Sequence, residues 1–240
     1  MEKFIFDIDG TLTPSRKQID PSFEAFMIKF CCKHDVYLIT GSNREKSIDQ
    51  IGLDVYYRAK RVYNCAGNDV YEKDKNVYRN PWKLPDDAKE FLLKELKKSL
   101  FSVRTGTHIE DRPGCVNFSI LGRGANWTER EVYKEWDRDN HERIEIAKRF
   151  NKAFPELYAF VGGETGVDIS LKGCDKGQII KDFDSKDQIH FFGDRMDENG
   201  NDYPLAEALK EMDGFTHHVT GWEDTRTRLV EFSTSGEFFK

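Results

Sequence analysis

The sequence predicts an α/β protein: a parallel sheet with helical crossovers, interrupted by a smaller α+β unit. Three observations carry this. Short apolar runs that close on an acidic residue or a glycine alternate with helical periodicities at both ends of the chain, the pattern of consecutive βαβ units. The middle of the chain breaks that rhythm with paired extended segments around turn residues. After Cys174 the rhythm resumes. Residues 1–80 and 174–240 are therefore assigned to one core and residues 81–173 to the inserted unit, and 240 residues suffice for two such bodies.

The elements follow in order. Lys3-Phe4-Ile5-Phe6-Asp7 reads as a buried strand that leaves the core into Gly10-Thr11. Asp20-Pro21 caps a helix whose apolar residues, Phe23, Phe26, Met27, Phe30 and Cys31, recur at helical spacing. Val36-Tyr37-Leu38-Ile39 is a second strand ending in Thr40-Gly41-Ser42, and Ser42 with Glu45 forms a capping box for the next helix. Near residue 80 the pattern changes. Leu92, Leu93, Leu96 and Leu100 mark a helix, and 107–121 forms two extended segments about Arg112-Pro113-Gly114. Thr128 and Glu131 form a second capping box for a charged helix running to about Phe150, followed by strands at 157–161 and 167–171. A helix from Lys176, a strand at 188–192, a helix after Asp202, a strand near 216–219 and a helix from Glu223 complete the chain.

Composition excludes several functions. Lys and Arg number 37 against 43 Asp and Glu, a formal net charge of −6. That balance argues against nucleic-acid or anionic-membrane binding through bulk charge, so any anion is held by local cations. No run approaches the ~18 apolar residues of a membrane span, and the start Met1-Glu2 lacks the basic and apolar regions of a signal peptide. Cys31, Cys32, Cys65, Cys115 and Cys174 are odd in number and contain no C-x-x-C pair, so buried thiols in a reducing compartment are expected. The expected setting is the cytoplasm.

The chemistry concentrates at the strand ends. Asp7 and Asp9 flank the exit of the first strand, where open α/β sheets bind ligands and where two carboxylates can converge on one substrate. An ordinary acidic turn would look the same in isolation; the alternative is a carboxylate nucleophile beside an acid/base. Thr40 and Ser42 offer hydroxyls and backbone N–H groups at a helix start, a natural phosphate seat. Lys176 opens a helix, Asp194 ends the apolar run His190-Phe191-Phe192-Gly193, and Asp202 comes eight residues after Asp194. Such acids suit Mg²⁺, which takes one or two carboxylates together with water and phosphate. Each motif alone is weak, but four in this order at βα junctions are strong. In the inserted unit, Arg112, Arg123 and Arg130 read either as surface charges or as a planar clamp on a second phosphate.

This pattern resembles the haloacid dehalogenase (HAD) superfamily, through Asp7-Ile8-Asp9-Gly10-Thr11, Thr40 or Ser42, Lys176, and Asp194 with Asp202. The resemblance implies a HAD-type, Rossmann-like parallel-sheet core with an inserted α+β cap. It also implies an Asp7 nucleophile that becomes phosphorylated, Asp9 as general acid/base, and Mg²⁺ at Asp7, the Asp9 backbone carbonyl and Asp194, with Asp202 of the same acidic motif as a further candidate metal residue. Over nearly the whole chain the sequence is similar, more narrowly, to eukaryotic-type phosphomannomutases, through Arg16, Gly106-Thr107, Arg112, Asn117, Gly122-Arg123, Glu129-Arg130, Gly162-Gly163, Asp168, Asp175-Lys176 and Glu223-Asp224-Thr225-Arg226.

That family implies Arg16, Arg112, Arg123, Arg130 and Asp168 as substrate-binding residues. It further implies a hexose 1,6-bisphosphate activator, a role in GDP-mannose biosynthesis and a homodimer formed through the cap. Three departures stand out. The family's serine two residues before the sugar-binding aspartate is Gly166, which removes a hydroxyl contact at that substrate-binding position. Arg195 replaces a lysine. The segment 205–210 replaces the one that carries a second, structural cation, so that site is not carried over. The expected activity is interconversion of mannose 6-phosphate and mannose 1-phosphate, with the glucose analogues left open as further substrates. A sugar phosphatase on the same core is the alternative, and a non-catalytic sugar-phosphate module the third reading. Two adjacent carboxylates add nothing to anion binding and argue against that third reading.

Overall fold

A computed structural model describes residues 2–15, 17–198 and 200–235. In chain order the elements are β1 (Glu2–Asp7), α1 (Pro21–Cys31), β2 (Asp35–Ile39), α2 (Arg44–Arg58), β3 (Arg61–Asn64), β4 (Asp69–Glu72) and β5 (Lys75–Arg79). Then come α3 (Asp86–Lys98), β6 (Ile109–Arg112), β7 (Cys115–Phe118), α4 (Trp127–Asn140), α5 (Glu142–Ala153), β8 (Leu157–Gly162) and β9 (Gly166–Leu171). A 3₁₀ helix (Lys176–Asp182), β10 (Gln188–Gly193), α6 (Tyr203–Lys210), β11 (Phe215–His218) and α7 (Trp222–Ser235) close the chain. Two compact units result, Met1–Arg79 with Gly173–Lys240, and Asn80–Lys172. Among the described residues no helix is long and apolar enough to cross a membrane.

The first unit is an α/β body. Its sheet has the order β11-β10-β1-β2-β3-β4-β5, parallel from β11 to β3, with β4 and β5 added antiparallel. Alternation along β1 explains the layers. Phe4 and Phe6 pack with α1, α2 and α7 through Phe23, Met27, Phe30, Val55 and Leu229. Ile5 faces the other way, with Ile179 of the 3₁₀ helix, Phe183 just after it, and Leu205 and Leu209 of α6. A strand buried on both faces reads as a continuous apolar run, which is why it is legible in the sequence. The apolar pattern predicts no strand over 61–79, where the structure has three. Val62-Tyr63 and Val70-Tyr71 are two-residue apolar pairs between polar neighbours, too short to stand out.

The second unit is an antiparallel sheet, β6-β7-β9-β8, with helices on one face. Phe118, Val167, Ile169, Leu157 and Ala159 pack with Leu92, Tyr133, Ile146 and Phe150 of α3, α4 and α5. Glu110, Arg112, Asn117 and Asp168 alternate with the inward residues and so share the opposite face.

Several local expectations are corrected. The α2 cap is Asn43, accepting from Lys46 N, rather than Ser42 with Glu45. The box that opens α4 is Asn126 with Glu129, two residues before the expected Thr128 and Glu131. The charged helix expected to reach Phe150 breaks at His141, which adopts φ 54° and separates α4 from α5. Leu100 lies beyond α3 and is exposed, since α3 ends at Lys98. The Lys176 segment is a 3₁₀ helix, not an α-helix.

Candidate active site

In the core unit the site forms where β1, β2 and β10 release the chain. Asp7 is the last residue of β1 and is buried. After it the chain turns tightly: Thr11, Leu12 and Thr13 N–H groups all donate to Ile8 O, and Gly10 N–H donates to Thr13 O at 2.9 Å. Gly10 is required here on two counts. Its φ is +81°, and a Cβ would lie 2.3 Å from Asp194 Oδ2. The close approach brings the β10 carboxylate to the β1 turn.

Lys176 is 1% exposed and donates to Asp7 Oδ1 at 2.6 Å and to Asp202 Oδ1 at 2.7 Å. Asp202 also accepts from Arg195 N–H at 3.0 Å, so both its oxygens are engaged by protein donors. One oxygen each from Asp7, Asp194 and Asp202 lie within 4.8 Å of one another. Burial drives the Asp7 carboxyl well above the usual range; Lys176 opposes this, while Asp202 and Asp194 reinforce it. Burial, with Asp202 beside it, pushes Asp194 up to about 6. For Lys176 burial disfavours charge, but Asp202 and Asp7 outweigh it and hold the ammonium charged above its ordinary range. Three crowded carboxylates against one ammonium, with Asp194 Oδ1 buried and lacking a hydrogen-bond partner, fit an oxygen-seeking divalent cation.

Asp9 lies beside this cluster. Its Oδ1 accepts from Gln50 Nε2 at 2.9 Å; its Oδ2 has Ser42 Oγ at 3.5 Å and Lys46 Nζ at 3.7 Å. Thr40 is buried, and its Oγ1 accepts from Ser42 N–H at 3.0 Å, fixing the turn into α2. Thus Asp7, Asp9, Ser42, Lys176, Asp194 and Asp202 are brought together, with Thr40 supporting the turn. Arg16 lies outside the described residues.

The inserted unit gathers its own cluster. Glu110 Oε2 lies 2.7 Å from Arg112 Nη2 and 2.9 Å from Arg123 Nε, so one carboxylate oxygen bridges two guanidinium groups. Arg130 Nη2 is 3.2 Å from Glu164 Oε2. Burial, with Arg112 and Arg130 adding to it against Glu110, lowers the pKa of Arg123. Burial disfavours charge on Arg112 too, but Asp168 and Glu110 outweigh it. Gly122, at φ +91°, lets the chain pass Thr105 O, which a Cβ would meet at 1.8 Å; this sets Arg123, whose N–H donates to Thr107 O. Asp168 accepts from Asn117 Nδ2 at 2.6 Å. The Asn117 amide also fills the space that a side chain at position 166 would need, since a Cβ on Gly166 would lie 2.4 Å from Nδ2.

Lys46, Gln50, Glu110 and Glu164 join the two clusters only in the structure. Gln50 had a usable signal: a polar residue on the buried face of α2, beside Ile51. The glutamates had none, because their partners were known only as separate arginines.

Comparison with known proteins agrees with this architecture. A solved haloacid dehalogenase-like hydrolase from Bacteroides thetaiotaomicron superposes with a TM-score of 0.62 at 11% identity, covering 96% of this chain and 98% of that one. A trehalose-6-phosphate phosphatase related protein gives 0.61 at 20% identity, covering 98% of each chain. The fold is that of the haloacid dehalogenase-type proteins. The family model described as eukaryotic phosphomannomutase matches residues 23–234, and the chain belongs to that family. Phosphomannomutases of Spinacia oleracea and Saccharomyces cerevisiae are 29% and 28% identical, each over 95% of this chain and over 94% and 92% of their own lengths.

Proposed function

We propose that the protein is a phosphomannomutase, interconverting mannose 6-phosphate and mannose 1-phosphate through a phospho-aspartate and a hexose 1,6-bisphosphate. The observation that carries the reading is the presence in one chain of a buried Asp7–Lys176 pair beside Asp9 and a separate group of three arginines. A phosphatase needs the first; a mutase needs both, because its substrate turns over and either end must be recognised as phosphate.

In this reading a carboxylate oxygen of Asp7 attacks phosphorus and takes the phosphoryl group. Asp9 protonates the departing sugar oxygen in one half-reaction and deprotonates the attacking hydroxyl in the other. Lys176 balances the charge that gathers on Asp7, while Ser42 and the N-terminus of α2 bind phosphoryl oxygens. Asp7, Asp194 and the Asp9 carbonyl would hold Mg²⁺, with Asp202 fixing Lys176 behind them; the ion would screen charge between the phosphate and its nucleophile. Arg112, Arg123 and Arg130 grip the phosphate that is not reacting, joined by Arg16 on the resemblance alone. Asp168, in the register slot opposite Asn117, contacts sugar hydroxyls, with Gly166 leaving that position without a hydroxyl donor. A cytoplasmic setting and a homodimer through residues 81–173 belong to the same reading.

Product analysis on mannose 1-phosphate with a trace of hexose 1,6-bisphosphate and Mg²⁺ tests it. Mannose 6-phosphate is expected. Stoichiometric inorganic phosphate with no 6-phosphate would make the protein a phosphatase.

A further inference from the structure

We infer that Gln50 is the positioning residue for Asp9, and that it sets how well the protein cleaves esters whose leaving group needs a proton. The inference rests on the assignment of Asp9 as acid/base.

Gln50 is 2% exposed, on a buried face of α2 shared with Ile51 and Val55. A buried amide costs stability unless it is hydrogen-bonded, and an apolar side chain is the default at such a position. Gln50 Nε2 donates to Asp9 Oδ1 at 2.9 Å and reaches Thr13 Oγ1 at 3.4 Å, while its buried Oε1 has no hydrogen-bond partner. The half-satisfied amide therefore serves the carboxylate rather than the core.

The backbone is fixed from the same direction. At Gly52 the helical conformation breaks, with φ 76° and ψ 154°, and Gln50 O accepts instead from Ile19 N–H at 2.8 Å. The side chain of this one residue thus holds Asp9 and its carbonyl holds Ile19. Lys46 and Gln50 lie four residues apart on one edge of α2, and Ser42 lies just before the Asn43 cap; together they address both Asp9 oxygens, Gln50 at Oδ1 and the other two near Oδ2.

The consequence is chemical. When a hexose phosphate is cleaved, the bond from phosphorus to the sugar oxygen breaks and the phosphoryl group bonds to an Asp7 oxygen. The proton held by Asp9 passes to the departing sugar oxygen. That transfer depends on where the Asp9 carboxyl points. An acyl phosphate departs as a stable carboxylate and needs no proton.

The test compares Gln50→Ala and the apolar Gln50→Leu with wild type, all in Mg²⁺, in single-turnover transfer to Asp7 from two donors: hexose 1,6-bisphosphate, and acetyl phosphate read as the burst of acetate. Maximal transfer from the sugar ester is expected to fall roughly thirtyfold, with its half-saturating concentration and the acetate burst rate within about threefold of wild type. A retained acetate burst also reports a folded variant with a working nucleophile. Equal losses on both donors, or no loss on either, would overturn the inference. A wild type that gives the acetate burst but transfers nothing from the sugar ester would remove the acid/base assignment and this inference together.

Discussion

The ammonium of Lys176 lies 2.6 Å from Asp7 Oδ1, and both side chains are closed off from solvent. The same ammonium holds Asp202 at 2.7 Å, so one cation serves two buried carboxylates while Asp194 stands close by. Lys176→Ala leaves Asp7 and Asp202 without their partner and is expected to destabilise the metal-free protein by about 3–5 kcal/mol, with part of the loss recovered in Mg²⁺. Denaturant unfolding with and without the ion measures both. A loss below about 1 kcal/mol would show that the pair is not charged in the folded protein.

Asp194, pushed up to about 6, makes cation binding pH-dependent. Below that pH the carboxyl carries a proton that the ion must displace. Mg²⁺ affinity is expected to rise by up to about tenfold per unit as pH increases toward 6, and to level off above it. In the metal-free protein a raised carboxyl contributes stability that is present below the ordinary carboxylate range and lost as pH rises through 6. Titration calorimetry at pH 5 and pH 7.5 decides; equal affinities would exclude Asp194 as a ligand.

Asp7→Asn removes the nucleophile together with one of three crowded charges. Turnover and trapping of beryllium fluoride are expected to disappear, while the melting temperature without metal stays within about 5 °C of wild type. Residual activity within about tenfold of wild type would take Asp7 out of the nucleophile's role.

Arg130, one of the three arginines, pairs with Glu164, so Glu164 competes with any phosphate for the same guanidinium. Arg130→Ala is expected to lower kcat/KM by about 10- to 100-fold, the loss of a charge-assisted hydrogen bond. Glu164→Gln is expected to tighten inorganic phosphate binding instead. Steady-state kinetics and phosphate-dependent melting shifts check the two variants, and an unchanged kcat/KM in Arg130→Ala would place the clamp elsewhere.

Away from the site, His190 Nδ1 lies 3.0 Å from His217 Nε2, His190 stacking on Phe4 and Phe215, His217 on Phe192. Burial lowers both to about 4, with His190 and Arg228 adding to the effect on His217. A depressed histidine favours the neutral fold, so its contribution is present above pH 6.5 and lost as pH falls toward 4. The expected loss is on the order of 3 kcal/mol for His190 and less for the half-buried His217. Asp194 has the opposite sign in the same window, so the measurement is the difference between wild type and His190→Phe/His217→Phe. A parallel pH dependence in the two proteins would mean that the histidines do not titrate on unfolding.

Legibility followed the range of the interaction. β1, β2 and β10 are readable because strands buried on both faces are unbroken apolar runs, Asp7 and Asp194 because each sits at the end of such a strand, and Lys176 because it opens a helix after Asp175. The helix starts were misread by one or two residues because Asn43 and Asn126 compete with neighbouring Ser42 and Thr128 as caps, and all four side chains can accept the same backbone N–H groups. The break at His141 was hidden for a similar reason: a left-handed residue is a backbone choice that charged flanking sequence does not reveal.

By itself the sequence determined the alternation of strands and helices, the strand-end acids and the presence of three arginines, since these depend on residues a few positions apart. Only the tertiary structure decided that Gln50 meets Asp9 from 41 positions away, that Lys176 reaches Asp7 across 169, and that Glu110 joins Arg112 to Arg123. Local periodicity follows from backbone geometry and can be read along a line. Partners for buried charge are chosen by packing, which brings distant segments together only once the core has closed.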